Sequence, residues 1–259
     1  MRRDDGSKRI ARYLRWRSPH EHHRHRGAIN SVAGGGSLIS FPAILAVGYP
    51  SITATVTNTV AIWPGSVGGS LAYRPELRGQ RRRIIVLGGT SVAGAILGSA
   101  LLLVSPLQLF DRLVPLLILF ACALLLIQPR LGAWVQRRGP ARRSRSLPLI
   151  GSQFLAAVYG GYFGAGLGIM VLAFLGIFID DDLQRLNALK GVLALIVNGA
   201  AVIAFILFGP VAWPVTILMG VTSWAGGYLG VHLARRLSGG VLRAAVLVFG
   251  VAVALKLLI

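Results

Sequence analysis

The chain has 259 residues, of which 54% are hydrophobic and 14% are charged, and its formal net charge is +19. A soluble domain cannot bury that much apolar surface, and several charge-free stretches reach the roughly 20 residues that cross a hydrocarbon core. The composition therefore excludes a soluble fold and predicts an all-α polytopic membrane protein. The basic residues lie between the apolar stretches and form no face with interleaved aromatics, which argues against a nucleic-acid partner.

Residues 1–27 are polar and carry nine arginines or lysines. They lack the apolar segment of a signal peptide. Their four closely spaced histidines permit two interpretations, a metal site or a disordered basic tail, and the composition favours the tail. We therefore predict no metal site. These histidines are His20, His22, His23 and His25.

Apolar spans and basic loops alternate along the rest of the chain. They divide it into a first transmembrane repeat over 28–127, a basic cytoplasmic linker over 128–146 and a second repeat over 147–259. The linker carries six arginines and no acidic residue. The predicted spans cover residues 28–48, 52–73, 84–104, 107–127, 147–179, 187–208, 212–233 and 241–259.

The two halves resemble each other. Shifting residues 84–127 by 132 positions lays them on residues 216–259 without a gap, and 13 of the 44 pairs are identical. Glycines and hydroxyl residues recur in the same order, which chance matching of apolar helices does not readily produce. We therefore interpret the halves as homologous repeats.

The second repeat begins with a span that is too long for one crossing. The 33 residues of 147–179 would form a helix of about 50 Å, against a hydrocarbon core of about 30 Å. A glycine cluster lies near its middle, so the span can fold as a hairpin of two half-helices. Three full crossings then remain in each half, the repeats are inverted, and all basic loops lie on one side, as the positive-inside rule requires. A single crossing would place the basic loop at 234–243 on the other side.

The motifs of both halves resemble the sulfite exporter TauE/SafE family. The resemblance rests on the segments NSVAGGGSLISFP at 30–42, TNT at 57–59, AAVYGGYFGAG at 156–166 and NALK at 187–190. It implies a multi-spanning transporter of the bacterial inner membrane that moves small sulfur-containing anions such as sulfite, sulfonates or sulfoacetate. We expect no cofactor.

One feature departs from this resemblance. Members of the family have an apolar helix that runs into the first glycine cluster, and the internal repeat predicts the same helix. Residues 1–27 stand in its place. We therefore expect a wrong start site or a frame error upstream, with the first half-helix missing from the chain as written.

Candidate substrate-binding residues lie in the two glycine clusters and at polar positions within the spans. Glycine-broken helices can direct backbone N–H groups at an anion. A lysine within a membrane span costs free energy on insertion, which indicates a functional role. The candidates are Asn30, Gly35, Gly36, Ser37, Thr57, Asn58, Ser66, Gly164, Gly166, Asn187, Lys190 and Asn198.

Each of these residues also has a structural interpretation, which the sequence leaves open. The glycines can serve close helix packing, as is favoured for Gly94 and Gly98. The asparagine and hydroxyl side chains can form interhelical hydrogen bonds, and Lys190 can extend its ammonium to the membrane surface. The aspartates at 180–182 can take part in proton coupling or, as is favoured, start the following helix.

The sequence contains no pattern typical of an enzyme. No nucleophile with a neighbouring base and no metal-ligand spacing occurs in the spans. Two functions are therefore open. The first is a secondary transporter of a small anion, driven by protons, another coupling ion or the substrate's own gradient, and able to form a homo-oligomer in the lipid bilayer. The second is a membrane scaffold or accessory protein that transports nothing.

Overall fold

A computed structural model describes residues 37–71, 73–137, 146–222 and 239–258. Every regular element in those ranges is helical, which confirms the all-α class. A short 3-10 turn, Arg74–Leu77, follows the second α-helix. In chain order the described α-helices are α1 (Ser37–Ala46), α2 (Ser51–Leu71), α3 (Arg81–Val104), α4 (Leu107–Arg137), α5 (Ser146–Tyr162), α6 (Leu167–Phe178), α7 (Leu183–Phe208), α8 (Trp213–Thr222) and α9 (Gly239–Leu258).

Three of these helices, α3, α4 and α7, are long and apolar enough to cross a membrane. They contain the apolar runs at 84–104, 107–127 and 187–208 that the sequence predicts as spans. A helix satisfies its own backbone N–H and C=O groups, which hydrocarbon cannot do. The length, composition and helical structure of α3, α4 and α7 thus all indicate that these helices cross a membrane.

Helix α4 is longer than the apolar run predicts. The run ends at residue 127, but the helix continues through Pro129 to Arg137. The extension is stabilised by packing, because Val135 is buried and fits against Gly176 of α6, where a side chain would overlap it. Packing against α6 therefore accounts for the continuation of the helix beyond the apolar run.

Helices α3 and α5 run parallel in close contact. A Cβ built on Gly94 would lie 2.7 Å from the Cβ of Ala157, and one built on Gly98 would overlap the carbonyl oxygen of Val158. The contacts advance in the same direction along both chains, and they confirm the packing role predicted for the two glycines. Buried Gln153 adds a hydrogen bond from its Nε2 to the Oγ of Ser91 at 2.8 Å.

Helix α6 returns to the end of the molecule from which α5 starts. Three residues after α6, Asp181 forms an ion pair with Arg83 in the first turn of α3. Because α3 and α5 are parallel, the start of α3 and the start of α5 lie at the same end. Helices α5 and α6 therefore form a hairpin. We call this end, which carries Arg81, Arg82 and Arg83, the arginine-rich end.

Helices α2 and α7 run antiparallel. Ser70 donates a hydrogen bond to the carbonyl oxygen of Gly191 at 3.3 Å, and Trp63 donates one to that of Leu195 at 3.3 Å. Asp182 caps the start of α7 by accepting a hydrogen bond from the backbone N–H of Gln184 at 2.8 Å. This cap confirms the predicted helix start after the three aspartates.

Candidate functional site

The hairpin turns within residues 163–166. Gly164 has φ +77° and Gly166 has φ +78°, in the left-handed region that residues with a Cβ rarely adopt. The backbone N–H of Gly164 donates to the carbonyl oxygen of Tyr159 at 3.2 Å, and that of Leu167 donates to the carbonyl oxygen of Gly164 at 3.1 Å. The two glycines thus end α5 and begin α6 within four residues.

The side chain of Lys190 lies over the first turn of α6. Its Cδ and Cε lie 3.8 and 4.0 Å from the position of a Cβ built on Gly168. An alanine Cβ at 168 would therefore be in ordinary van der Waals contact with the lysine side chain. A helix N-terminus carries about half a positive charge, and the lysine adds a whole one. Both positive groups attract an anion, so the position of the lysine beside this helix start favours anion binding near the break.

Asn198 lies on the other side of the same break. Its Oδ1 is 3.8 Å from the position of a Cβ on Gly164, and its Nδ2 donates to the carbonyl oxygen of Ala194 at 2.9 Å. Helix α7 therefore carries Lys190 and Asn198 to two sides of one break. Asn187, one turn before Lys190, is buried.

The candidates on α2 make contacts between helices. The backbone N–H of Ala212 donates to the Oγ1 of fully buried Thr57 at 3.0 Å. Asn58 accepts a hydrogen bond at its Oδ1 from Ser40 of α1. These bonds attach α2 to α1 and to the segment before α8. They favour a structural role for Thr57 and Asn58 over a role in binding substrate at the break.

Ser66 and Ser37 occupy less defined positions. The Oγ of Ser66 donates to the carbonyl oxygen of Ile62 at 3.5 Å, on the side of α2 that faces α7. Ser37 is half-buried at the first described position of α1. Three further candidates, Asn30, Gly35 and Gly36, lie outside the described residues. The structure thus brings together Gly164, Gly166, Lys190 and Asn198.

Two contacts at the break are not predicted from the sequence. The Tyr159 hydroxyl donates a hydrogen bond to the carbonyl oxygen of Ala165 at 2.6 Å. The rings of Phe41 and Phe163 meet edge to face with centroids 5.4 Å apart, so that α1 touches the break. The aromatic residues of the second motif were visible in the sequence, but their partners are distant in the chain.

Among the residues that the structure describes, no group of three or more histidine, cysteine or acidic side chains could hold a metal ion. The polar groups near the break are amides, hydroxyls, backbone N–H groups and one lysine. Such a set suits an oxyanion, because N–H and ammonium groups donate hydrogen bonds to it.

Comparison with known proteins extends over nearly the whole chain. The chain is 27% identical over 235 residues to the "Probable membrane transporter protein ORF9" of Sinorhizobium sp, covering 90% of this chain and 88% of that protein. It is 31% identical over 211 residues to a "Probable membrane transporter protein" of Haemophilus influenzae, covering 81% and 79%. It is 25% identical over 240 residues to "Probable membrane transporter protein YfcA" of Escherichia coli K12, covering 90% and 85%.

No solved structure matches the chain. The family described as "Sulfite exporter TauE/SafE" matches it over residues 26–257. That match includes every described helix except the last residue of α9, and the relatives are named as membrane transporters. The chain is a multi-pass membrane protein that belongs to the sulfite exporter TauE/SafE family.

Proposed function

We propose that this protein is a secondary transporter that moves small sulfur-containing anions, such as sulfite or a sulfonate, by alternating access. The observation that carries the proposal is the position of Lys190 over the first turn of α6, beside the glycine break. The family description, which names sulfite, supports the choice of substrate class. No cofactor is required, because the protein only binds and releases its substrate.

The anion binds at the break between α5 and α6. The Lys190 ammonium neutralises its charge, and backbone N–H groups in the first turn of α6 donate to its oxygens. Asn198, whose Oδ1 faces Gly164, borders the site at the turn. Asn187, one turn before Lys190 on α7, and Ser66, on the side of α2 that faces α7, limit the size of the anion. Gly164 and Gly166 keep side chains out of the turn, so that the anion can approach the backbone.

The two halves are inverted repeats in this proposal. Helix α7 is the equivalent of α2 under the shift of 132 residues, and the two run antiparallel, as inverted equivalents do. Three helix ends also coincide under that shift. The coincident pairs are Ala46 with Phe178, Ser51 with Leu183, and Arg81 with Trp213. Asn30, Gly35, Gly36 and Ser37 would then supply the corresponding break in the first half.

The arginine-rich end faces the cytoplasm of a bacterial cell, and the protein lies in the inner membrane. The positive-inside rule supports this orientation. Alternating access arises when one half tilts against the other about the site. Phe41 of the first half and Phe163 of the second separate in that movement. A proton or another ion gradient, or the gradient of the substrate itself, supplies the energy.

The test is flux of labelled sulfite and of a small sulfonate into proteoliposomes that contain the purified full chain. We expect Lys190→Met to reduce flux by roughly 10- to 100-fold, the effect of losing one charge-assisted hydrogen bond. Lys256→Met is the matched control, because Lys256 is exposed in the last turn of α9. Its flux should equal that of the unchanged protein.

Three outcomes separate the parts of this proposal. Absence of flux for every sulfur anion with the unchanged protein contradicts the transport of sulfur anions. Equal flux in Lys190→Met and Lys256→Met contradicts the site while leaving transport intact. Flux of chloride or phosphate at the same rate as sulfite contradicts the substrate class.

A further inference from the structure

The last ten residues of α4 extend beyond the hydrocarbon core. The helix has 31 residues and is therefore about 46 Å long, while a bilayer measures about 30 Å across its hydrocarbon and about 40–45 Å with its headgroups. The apolar run 107–127 fills the hydrocarbon. Residues 128–137 add about 15 Å, which carries them through the headgroup layer of about 5–8 Å and beyond it at the arginine-rich end, towards which α4 runs alongside α6.

One face of α4 is exposed along its whole length. Leu116, Phe120 and Ile127 expose 57%, 43% and 50% of their surface, and helical spacing places them in one stripe. The same stripe continues beyond the hydrocarbon through three residues that are also exposed. These are Arg130, Trp134, which is 40% exposed, and Arg137. We call them the Arg-Trp-Arg face.

The opposite side of this segment is packed against the protein. Val135 is buried against Gly176 of α6, which fixes the rotation of the helix. The Arg-Trp-Arg face therefore points in the same direction as the apolar residues that contact lipid. Its charge is not balanced within the segment, since no acidic residue occurs between Asp111 and Asp180 in the sequence.

We propose that the Arg-Trp-Arg face binds the phosphate headgroup of an anionic phospholipid in the cytoplasmic leaflet. A guanidinium group forms two parallel hydrogen bonds to a phosphate, and a long arginine side chain can extend from its Cα towards the headgroup layer. Arg130 and Arg137 are two turns apart, with Trp134 between them. The acyl chains of the bound lipid lie along Ile127 and Phe120, on the apolar part of the same stripe.

The probe is phosphatidylglycerol, compared with phosphatidylcholine that has the same acyl chains. Lipid is added to the purified full chain in detergent, and bound lipid is counted by native mass spectrometry as its concentration rises. The unchanged protein should bind phosphatidylglycerol more tightly than phosphatidylcholine, and increasing salt should reduce the difference. Each arginine contributes about fivefold in apparent affinity, so Arg130→Gln with Arg137→Gln should weaken phosphatidylglycerol binding about 25-fold.

The matched control also removes two exposed charges. The double variant Arg112→Gln with Lys256→Gln changes one residue near the start of α4 and one in the last turn of α9. This variant should leave the preference for phosphatidylglycerol unchanged. Arg130→Lys with Arg137→Lys keeps the charges and should retain most of the binding. The unfolding temperature of each variant without added lipid shows whether it is folded.

Three results would overturn the proposal. The first is equal affinity of the unchanged protein for the two lipids. The second is an equal loss of phosphatidylglycerol affinity in the test pair and the control pair. The third is a change in oligomeric state in the test pair while lipid binding stays the same, which would assign the Arg-Trp-Arg face to contact with a second copy of the chain.

Discussion

The hydroxyl of Tyr159 donates a hydrogen bond to the carbonyl oxygen of Ala165, 2.6 Å away across the break between α5 and α6. The backbone carbonyl of the same tyrosine accepts hydrogen bonds from Phe163 and Gly164. Its ring is held edge to face against Phe120 of α4, with centroids 5.4 Å apart. One residue thus ends α5, fixes the peptide that precedes α6 and connects both to α4.

Replacing Tyr159 by phenylalanine removes only the hydroxyl group. The Ala165 carbonyl then loses its partner and is free to rotate towards the site, where its negative end repels an anion. A typical hydrogen bond contributes about 1 kcal/mol, so the KM for sulfite flux should rise roughly three- to tenfold with little change in the maximal rate. The measurement is flux in proteoliposomes against sulfite concentration.

Tyr162→Phe is the control for that change. Tyr162 lies one turn later on α5, and its hydroxyl is 3.4 Å from that of Ser105, away from Ala165. We expect its KM to stay that of the unchanged protein. Equal KM values for the two variants would show that the Ala165 contact does not position the site, even if transport itself is established.

The location of the break could be predicted from the sequence, whereas its geometry could not. Two glycines close together in a span too long for one crossing indicate a turn, and Gly164 and Gly166 do form it. The partners of the break come from helices that are remote in the chain. Neither the approach of Lys190 to the first turn of α6 nor the hydrogen bond from Tyr159 to Ala165 follows from hydrophobic periodicity, which indicates a helix but does not specify its rotation.

Close packing of α3 on α5 depends on glycine at 98. A Cβ at this position would overlap the carbonyl oxygen of Val158, and a backbone group cannot rotate away as a side chain can. Gly98→Ala should therefore force the two helices apart and lower the free energy of unfolding by about 1–3 kcal/mol. Thermal unfolding of the purified protein in detergent measures the change.

Gly89→Ala on the same helix is the matched control, because a Cβ there meets nothing within 4 Å. Alanine favours the helix by up to about 1 kcal/mol over glycine, so this variant should be as stable as the unchanged protein or slightly more. A Gly98→Ala protein that unfolds at the same temperature as Gly89→Ala would contradict the close contact of α3 and α5.

Asp181 connects the two halves of the chain at the arginine-rich end. It pairs with Arg83 of α3 and, at 2.7 Å, with Arg185 of α7. Burial raises the pKa of this carboxyl, but the hydrogen bonds from Arg83 and from the backbone of Asp182, with the charges of both arginines, outweigh it and leave the pKa below its usual value. The carboxyl is 16% exposed and the arginines about a third.

Replacing Asp181 by asparagine should lower the free energy of unfolding by about 1 kcal/mol, because the arginines are partly in solvent. A depressed pKa contributes stability above the unfolded value of about 3.9, and this contribution is lost as the pH falls through the lower folded value. The difference between Asp181→Asn and the unchanged protein should therefore be constant from about pH 5 to pH 8 and shrink below about pH 4.

Asp180→Asn removes the same charge from an exposed neighbouring position and should have a smaller effect at every pH. Equal effects of the two substitutions would mean that Asp181 acts only through the net charge of the loop. The spacing of Asp181 and Arg185 by four residues could have suggested their pair from sequence. The pair with Arg83, which is 98 residues away in the sequence, could not have been predicted from the residues next to Asp181.

The positive-inside rule makes a prediction about the two ends of α3. Arg82 is exposed at the arginine-rich end, and Gln108 is exposed at the other end, in the first turn of α4. In a chain whose single cysteine is removed by Cys122→Ala, Gln108→Cys should react with a membrane-impermeant maleimide in intact cells. Arg82→Cys should react only in inside-out vesicles, because the positive-inside rule places its loop in the cytoplasm. Labelling of both positions from the same side would contradict a single crossing by α3, and the reversed pattern would contradict the orientation while leaving the fold intact.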